Sequence, residues 1–211
     1  MVQQRLLDIA IDAFGQHGLE GASTRDIAAA AGTAMSSITY HYGGKEGLYL
    51  AAAEEVARQM GDKEAVEHLD QVVARADPAE ARETIFHYLR GFVGRLQAEQ
   101  SNSWALFIMR EQLNPTGAFD KIYAGPMGHN SRALVELIRI VTGVEDPKAA
   151  QIAAISLFGQ VLVMKAARAT CRRILGCETL SPDLIESYAD RVVANADAIL
   201  DRMISERQEP K

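Results

Sequence analysis

The residues best equipped for chemistry in this chain cluster near its N-terminal end. They are Ser36, Ser37, Thr39, Tyr40 and His41, with Met35 just before them, Thr24 and Arg25 upstream and Lys45 downstream. Apart from Met35, these side chains are hydrogen-bond donors or cations rather than a nucleophile with its base. A bland helix surface favours Lys, Glu and Gln, which have better helix propensity than short hydroxyl residues. A helix that carries Ser36, Ser37 and Thr39 outward is therefore suited to hydrogen-bonding a partner. Met35, Ser36, Ser37 and Thr39 fall on the N-terminal and outer faces, where a helix in a DNA major groove reaches base edges. Tyr40 and His41 can donate to phosphates. Lys45, Thr24 and Arg25 sit at helix starts, where the helix dipole also favours phosphate.

Two short helical patterns must position these groups. Thr24–Ala30 has Ile27 as its apolar anchor, and Ser23 is its N-cap with Asp26 three residues on. Ala31-Gly32 breaks the pattern, since glycine takes the left-handed conformation that ends a helix. The second pattern runs from about Met35 to Tyr42 and turns Ile38 inward. Two helices joined by so short a turn form a helix-turn-helix. An amphipathic helix over 2–17 precedes it, with Leu6, Leu7, Ala10, Ile11 and Phe14 at helical spacing and Gly18 as its stop. Gly43-Gly44 turns the chain again, and a helix over 45–60 leads onward.

The run Ile27-Ala28, Ala31-Gly32, Tyr40-His41-Tyr42, Lys45-Glu46 and Leu48 resembles the DNA-binding domain of TetR-family transcriptional repressors. The string ITYHYGGKEGLYLAAAE is most similar to the CecR-like branch, and FIMREQLNPTGAF (Phe107–Phe119) resembles its ligand domain more weakly. Two positions depart from the pattern: Ala34 stands where a serine caps the recognition helix, and Tyr42 replaces a phenylalanine. The resemblance implies a repressor on a palindromic double-stranded DNA operator, released when a small-molecule effector binds. Free thiols at Cys171 and Cys177 point to a reducing cytoplasm, and the apolar faces of the last two long helices to a homodimer.

Composition constrains the remainder. The chain has 211 residues, 48% of them hydrophobic, enough for a sizeable core. The net charge of −6 lacks the basic excess of many nucleic-acid binders, so DNA contact must rest on few cations together with hydroxyls and backbone N–H groups. An all-helical protein–protein interaction module without DNA binding would fit the same charge. Cys171 and Cys177 match neither a disulfide framework nor a zinc pattern, and His41 lacks a second ligand at metal spacing. No catalytic motif of the Gly-x-Ser-x-Gly, phosphate-loop, dinucleotide or His-Glu-x-x-His type is present, which argues against an enzyme. No metal and no cofactor are expected. No stretch reaches about 18 uncharged apolar residues, so no membrane span is expected.

Beyond residue 60 the pattern stays helical and shows no strand alternation. Gly61–Asp77 reads as a frayed helix and loop. Pro78 starts a helix with Ile85, Tyr88, Leu89, Phe92, Val93 and Leu96. Ser103–Leu113 is apolar nearly all round, then broken at Asn114–Gly117. A helix over 118–142 should kink near Gly125-Pro126. Pro147–Ala169 and Leu184–Ile204 complete the chain. The fold class is all-α, with a helix-turn-helix domain over 1–48, a connecting helix over 45–60, and a helical ligand-binding and dimerisation domain over 61–211. Trp104, Phe107, Ile108, Phe119, Tyr123 and Phe158 are candidates to line a ligand pocket, with Arg110, Gln112 and His129 as its polar groups. The same rings would also serve as core. Ile152, Ile155 and Leu162 on one late helix, and Tyr188, Val192 and Ile199 on the other, are candidates for a two-fold interface.

Overall fold

The computed structural model describes residues 2–98 and 101–208. Among them every regular element is helical. The helices are α1 (Val2–Gly21), α2 (Thr24–Ala31), α3 (Met35–Tyr42), α4 (Lys45–Met60), α5 (Lys63–Arg75), α6 (Pro78–Gln97), α7 (Ser101–Leu113), α8 (Gly117–Ile122), a π-helical turn over Tyr123–Met127, α9 (Gly128–Thr142), α10 (Pro147–Ala166), α11 (Arg168–Leu175) and α12 (Pro182–Gln208). The helices form two compact units.

The first unit holds α1–α4, α7, α8 and the π turn. Its core gathers Leu6, Ala10, Ile11 and Phe14 of α1, Ile27 and Ala31 of α2, Ile38 of α3, and Leu48, Tyr49, Ala52 and Val56 of α4. Phe107 and Ile108 of α7 and Ile122 of α8 close it. So α7 and α8, which lie inside the 61–211 segment, pack with the N-terminal helices. A close approach makes this possible: a Cβ on Gly15 would stand 2.9 Å from the Ser103 carbonyl oxygen. At Gly18 the backbone leaves helical geometry (φ 72°), where the sequence places the stop of the first helix. Arg110 on α7 donates from Nε to the Gly15 carbonyl at 2.6 Å and from its terminal nitrogen to Gln16, supplying partners to carbonyls near the break.

Glu55 on α4 is only 6% exposed. It accepts hydrogen bonds from Arg58 Nε at 2.7 Å, Gln59 at 2.9 Å and Gln4 of α1 at 2.7 Å. The Arg58 guanidinium is the main reason its carboxyl is held down to about 2, against the opposing effect of burial.

The second unit holds α5, α6, α9 from Asn130 onward, and α10–α12. Ile85, Leu89 and Val93 of α6 and Ala189, Val192, Ala196 and Leu200 of α12 are buried where these helices pack. Arg82 reaches Asp197 at 2.6 Å and also Asp201, and Arg90 reaches Asp190 at 2.7 Å. The segment read as a frayed helix and loop is in fact α5, because Leu69 and Val72 bury one stripe of it and give the helix a face to pack. The expected helix over 147–169 ends at Ala166, since Ala167 adopts φ −108° and ψ 34° and a separate short helix follows. The kink near Gly125-Pro126 is present as the π turn, with Gly125 at ψ −148°.

Among the described helices, one could cross a membrane by length and composition alone. α10 is long and apolar enough by length and composition, with a mean hydropathy of 1.5 over 18 residues. Its uncharged run falls between Lys148 and Lys165, which is why a strict count of uncharged residues passes over it. One such helix is weak grounds for a bilayer, because a core helix passes the same test.

The linkage at Glu55 sets an acid response. A carboxyl depressed in the folded state contributes stability above its ordinary value of 4.5 and loses it as pH falls toward about 2. Urea unfolding across that window is expected to show a shallower loss of stability for Glu55→Gln than for the native chain. Equal slopes would remove Glu55 from the acid response.

Candidate nucleic-acid interface

The helix-turn-helix is built by small residues and two left-handed glycines. Ser23 caps α2 by accepting from the Asp26 N–H at 3.3 Å, as its position in the sequence suggests. Gly32 ends α2 at φ 71°, and its N–H returns to the Ala28 and Ala29 carbonyls. Ala34 holds the N-cap position of α3 without a side-chain bond. The nearby hydroxyl, Thr33, instead donates to Ser37 Oγ at 3.2 Å. Ile38 is 1% exposed and anchors α3 to the core.

The outward face of α3 is open. Tyr40 is 85% exposed and Met35 51%, and Ser36, Thr39 and His41 are exposed as well. Ser37 and Thr24 are half-buried, and Arg25 is exposed. The Tyr40 and His41 rings meet edge to face at 4.9 Å. Lys45 is half-buried and its Nζ donates to the Glu20 carbonyl at 2.9 Å, so one of its three donors is already engaged. The α3–α4 junction is unusually tight. A Cβ on Gly47 would lie 1.6 Å from the Tyr42 carbonyl oxygen, so only glycine lets α4 start against the end of α3.

The residues proposed from sequence for a ligand pocket are distributed between the two units. Phe107 is fully buried and stacks on Tyr49 at 4.7 Å, and Ile108 is buried in the same core with Trp104 packed on it. Phe119 stacks on Tyr123 at 5.8 Å, and Tyr123 is 43% exposed. Arg110 is committed to the α1 carbonyls, Gln112 is exposed, and His129 is half-buried. Phe158 belongs to the second unit, where it meets Phe92 at 6.1 Å and Tyr88 at 6.5 Å. Of the interface candidates, Ile152 is 62%, Ile155 68% and Leu162 43% exposed. Val192 is 1% exposed and already fills the core of its own unit, while Tyr188 donates to the Gln160 carbonyl and Ile199 is half-buried.

Glu111, which the sequence offers with Arg110 as a pocket polar group or half of a helix-surface ion pair, is instead 1% exposed, while Arg110 turns to the α1 carbonyls. Glu111 accepts from the Tyr49 hydroxyl at 2.6 Å and from the Thr116 N–H at 3.0 Å and hydroxyl at 3.0 Å. Burial, then this hydrogen bond, pushes the Tyr49 hydroxyl pKa well above its ordinary value. The available signal was one acidic residue near the end of a stretch otherwise apolar nearly all round. Its partner Tyr49 is remote in sequence, so no periodicity could reveal the pair.

A compact helix-turn-helix with an exposed hydroxyl and aromatic face, on an otherwise helical chain, defines a DNA-binding transcriptional regulator. Comparison with known proteins agrees. Residues 6–52 match the bacterial regulatory proteins of the tetR family. Residues 81–203, more than half of the chain, match the C-terminal domain of the HTH-type transcriptional dual regulator CecR. The chain is 30% identical to CecR of Shigella flexneri over 203 residues, 94% of this chain and 91% of that protein. It is 40% identical to the transcriptional repressor AcnR of Corynebacterium glutamicum over 60 residues, 28% of this chain and 32% of that one. The fold is shared with Mycobacterium smegmatis AmtR (TM-score 0.61, 19% identity, 98% of this chain and 94% of that chain). It is also shared with a TetR-like regulator of Rhodococcus sp. RHA1 (TM-score 0.54, 21% identity, 97% and 92%).

The chain belongs to the TetR family of transcriptional regulators and carries a CecR-type C-terminal domain. It is a regulator and not an enzyme, and the reading as an interaction module without DNA binding is set aside. Regulators of this family bind DNA operators and typically dimerise.

Proposed function

We propose that this regulator is a repressor that reads a palindromic operator through α3 and leaves it when a small molecule binds. The observation that carries the DNA reading is the open face of α3, with Tyr40 85% exposed beside Ser36, Thr39 and His41 on a helix anchored by buried Ile38. Met35, Ser36, Ser37 and Thr39 face the base edges, and Thr24, Arg25, Tyr40, His41 and Lys45 hold phosphates. Residues 1–48 form the reading head, joined through the 45–60 helix to a responding and dimerising segment over 61–211. The protein works in the cytoplasm, where its operator lies.

The operator-bound form is a two-fold homodimer. The support is the second apolar face of α10. Ala150, Ala153, Leu157 and Val161 are spent on the unit's own core, yet Ile152, Ile155, Leu162 and Val163 are left 41–68% exposed. A second copy covers such a face by an isologous contact. The effector is an apolar molecule with a ring or chain that lies against Phe119, Tyr123 and Trp104. Support comes from the half-open Phe119–Tyr123 stack beside a π-helical turn, a feature that often accompanies function.

Three measurements test the proposal. Ser37→Ala or Thr39→Ala is expected to shift base preference at one operator position by about 1–3 kcal/mol, whereas Tyr40→Phe weakens all duplexes alike. Unchanged affinity and selectivity in the triple variant would remove α3 as the reader. Sedimentation of Ile152→Glu/Ile155→Glu is expected to show monomer where the native chain is a dimer, and a monomeric native chain at micromolar concentration would refute the interface. Effector screening by Trp104 fluorescence should find molecules that also release DNA. Tyr123→Ala should blunt that release while effector-free DNA binding persists, and a normal response would move the site elsewhere.

A further inference from the structure

We propose that Glu111 is a positioning residue for operator binding. By holding the hydroxyls of Tyr49 and Thr116 together, it sets the start of α4 and, through α4, the angle of the recognition helix α3. The inference rests on the DNA-binding role of α3 and not on any effector.

All the contacts involved lie within the first unit. The end of α3 is pressed onto the first turn of α4, because the Gly47 site has no room for even a Cβ beside the Tyr42 carbonyl. The orientation of α3 therefore follows that of α4. Two residues beyond Gly47, Tyr49 is 4% exposed, with its ring edge-on to Phe14 of α1 at 4.9 Å and stacked on Phe107 of α7 at 4.7 Å. Ring packing of this kind fixes position but is permissive about small rotations of α4 around its axis. The hydroxyl is not permissive. It donates to Glu111 at 2.6 Å, and a buried donor or carboxylate that loses its partner cannot turn to water. Glu111 is held from the other side by the N–H and hydroxyl of Thr116. Thr116 also caps α8 through the Ala118 N–H at 3.1 Å. One carboxylate thus ties the DNA-reading end of α4 to the start of α8.

The test uses the full chain and the duplex that the native protein selects from a random-sequence library. Selection of a duplex by the native protein checks the DNA reading independently of this proposal. Tyr49→Phe, Glu111→Gln, their double variant, Thr116→Val and Thr116→Ser are compared for affinity to that duplex and to an unrelated one, well below each variant's melting temperature. Tyr49→Phe, Glu111→Gln and Thr116→Val are expected to bind the selected duplex about tenfold more weakly. Unrelated duplex binding should stay within about twofold, since phosphate contacts are kept. The double variant should be no weaker than its worse single parent, because the two groups act as one contact. Thr116→Ser should bind like the native chain. A purely structural role would lower melting temperatures while leaving the affinity of the folded protein for the selected duplex unchanged, and that result would overturn the proposal. Tyr49→Phe keeps the packed ring, so it decides the matter should Glu111→Gln fail to fold.

Discussion

A carboxylate buried to 1% exposure is the constraint around which the first unit is arranged. Removing a charged group from water is costly unless hydrogen bonds replace its hydration. At Glu111 the replacement comes from neutral donors, the Tyr49 hydroxyl and two groups of Thr116. Tyr49 lies on α4, Thr116 caps α8 and the carboxylate itself sits on α7, so these three elements have to arrive together. Apolar packing of Phe14, Tyr49 and Phe107 gathers α1, α4 and α7 but leaves their rotation loosely defined. Directional bonds then select one arrangement, as buried polar groups do when every member is satisfied.

The DNA-reading end shows how an acidic chain can serve a polyanion. Its net charge of −6 is unhelpful to long-range attraction, so contact has to come from local geometry. Small residues bring α2 and α3 close, Ile38 holds α3 by its inner face, and the outer face is left to hydroxyls and rings. Cations are few and partly engaged: Lys45 holds the Glu20 carbonyl and Arg5 the Ala30 carbonyl at 3.3 Å. These bonds tie α4 to the end of α1, and α1 to the end of α2, which stiffens the head at the expense of free charge.

The second unit solves a different problem. α6 and α12 are joined by apolar burial and by Arg82 and Arg90 reaching across to acidic residues of α12. Those pairs are largely exposed, so they orient the helices more than they stabilise them. α10 is apolar on more of its circumference than its own unit covers, which is the same property that lets its composition pass for a membrane span. A helix apolar on two faces must meet apolar surface on both.

Much of this was legible in the sequence because it is local. Gly32 and Gly43 mark helix ends where φ must be positive, Ser23 and Pro78 mark starts, and the spacing of Ile27, Ile38 and Leu48 assigns the inward face of the head. The family motif from Ile27 to Leu48 adds the function. What only the tertiary structure decided is which remote residues share a neighbourhood. Tyr49 and Glu111 are 62 positions apart and no period links them. Phe107 and Phe158 look alike as buried aromatics, yet one stacks in the core of the first unit and the other meets Tyr88 and Phe92 in the second. Apolar periodicity says that a face will be buried and leaves open against what, because dispersion and water exclusion are indifferent to partner identity. Choosing the partner takes shape, close approach at residues such as Gly15 and Gly47, and directional bonds to buried polar groups, all of which exist only once the chain has folded.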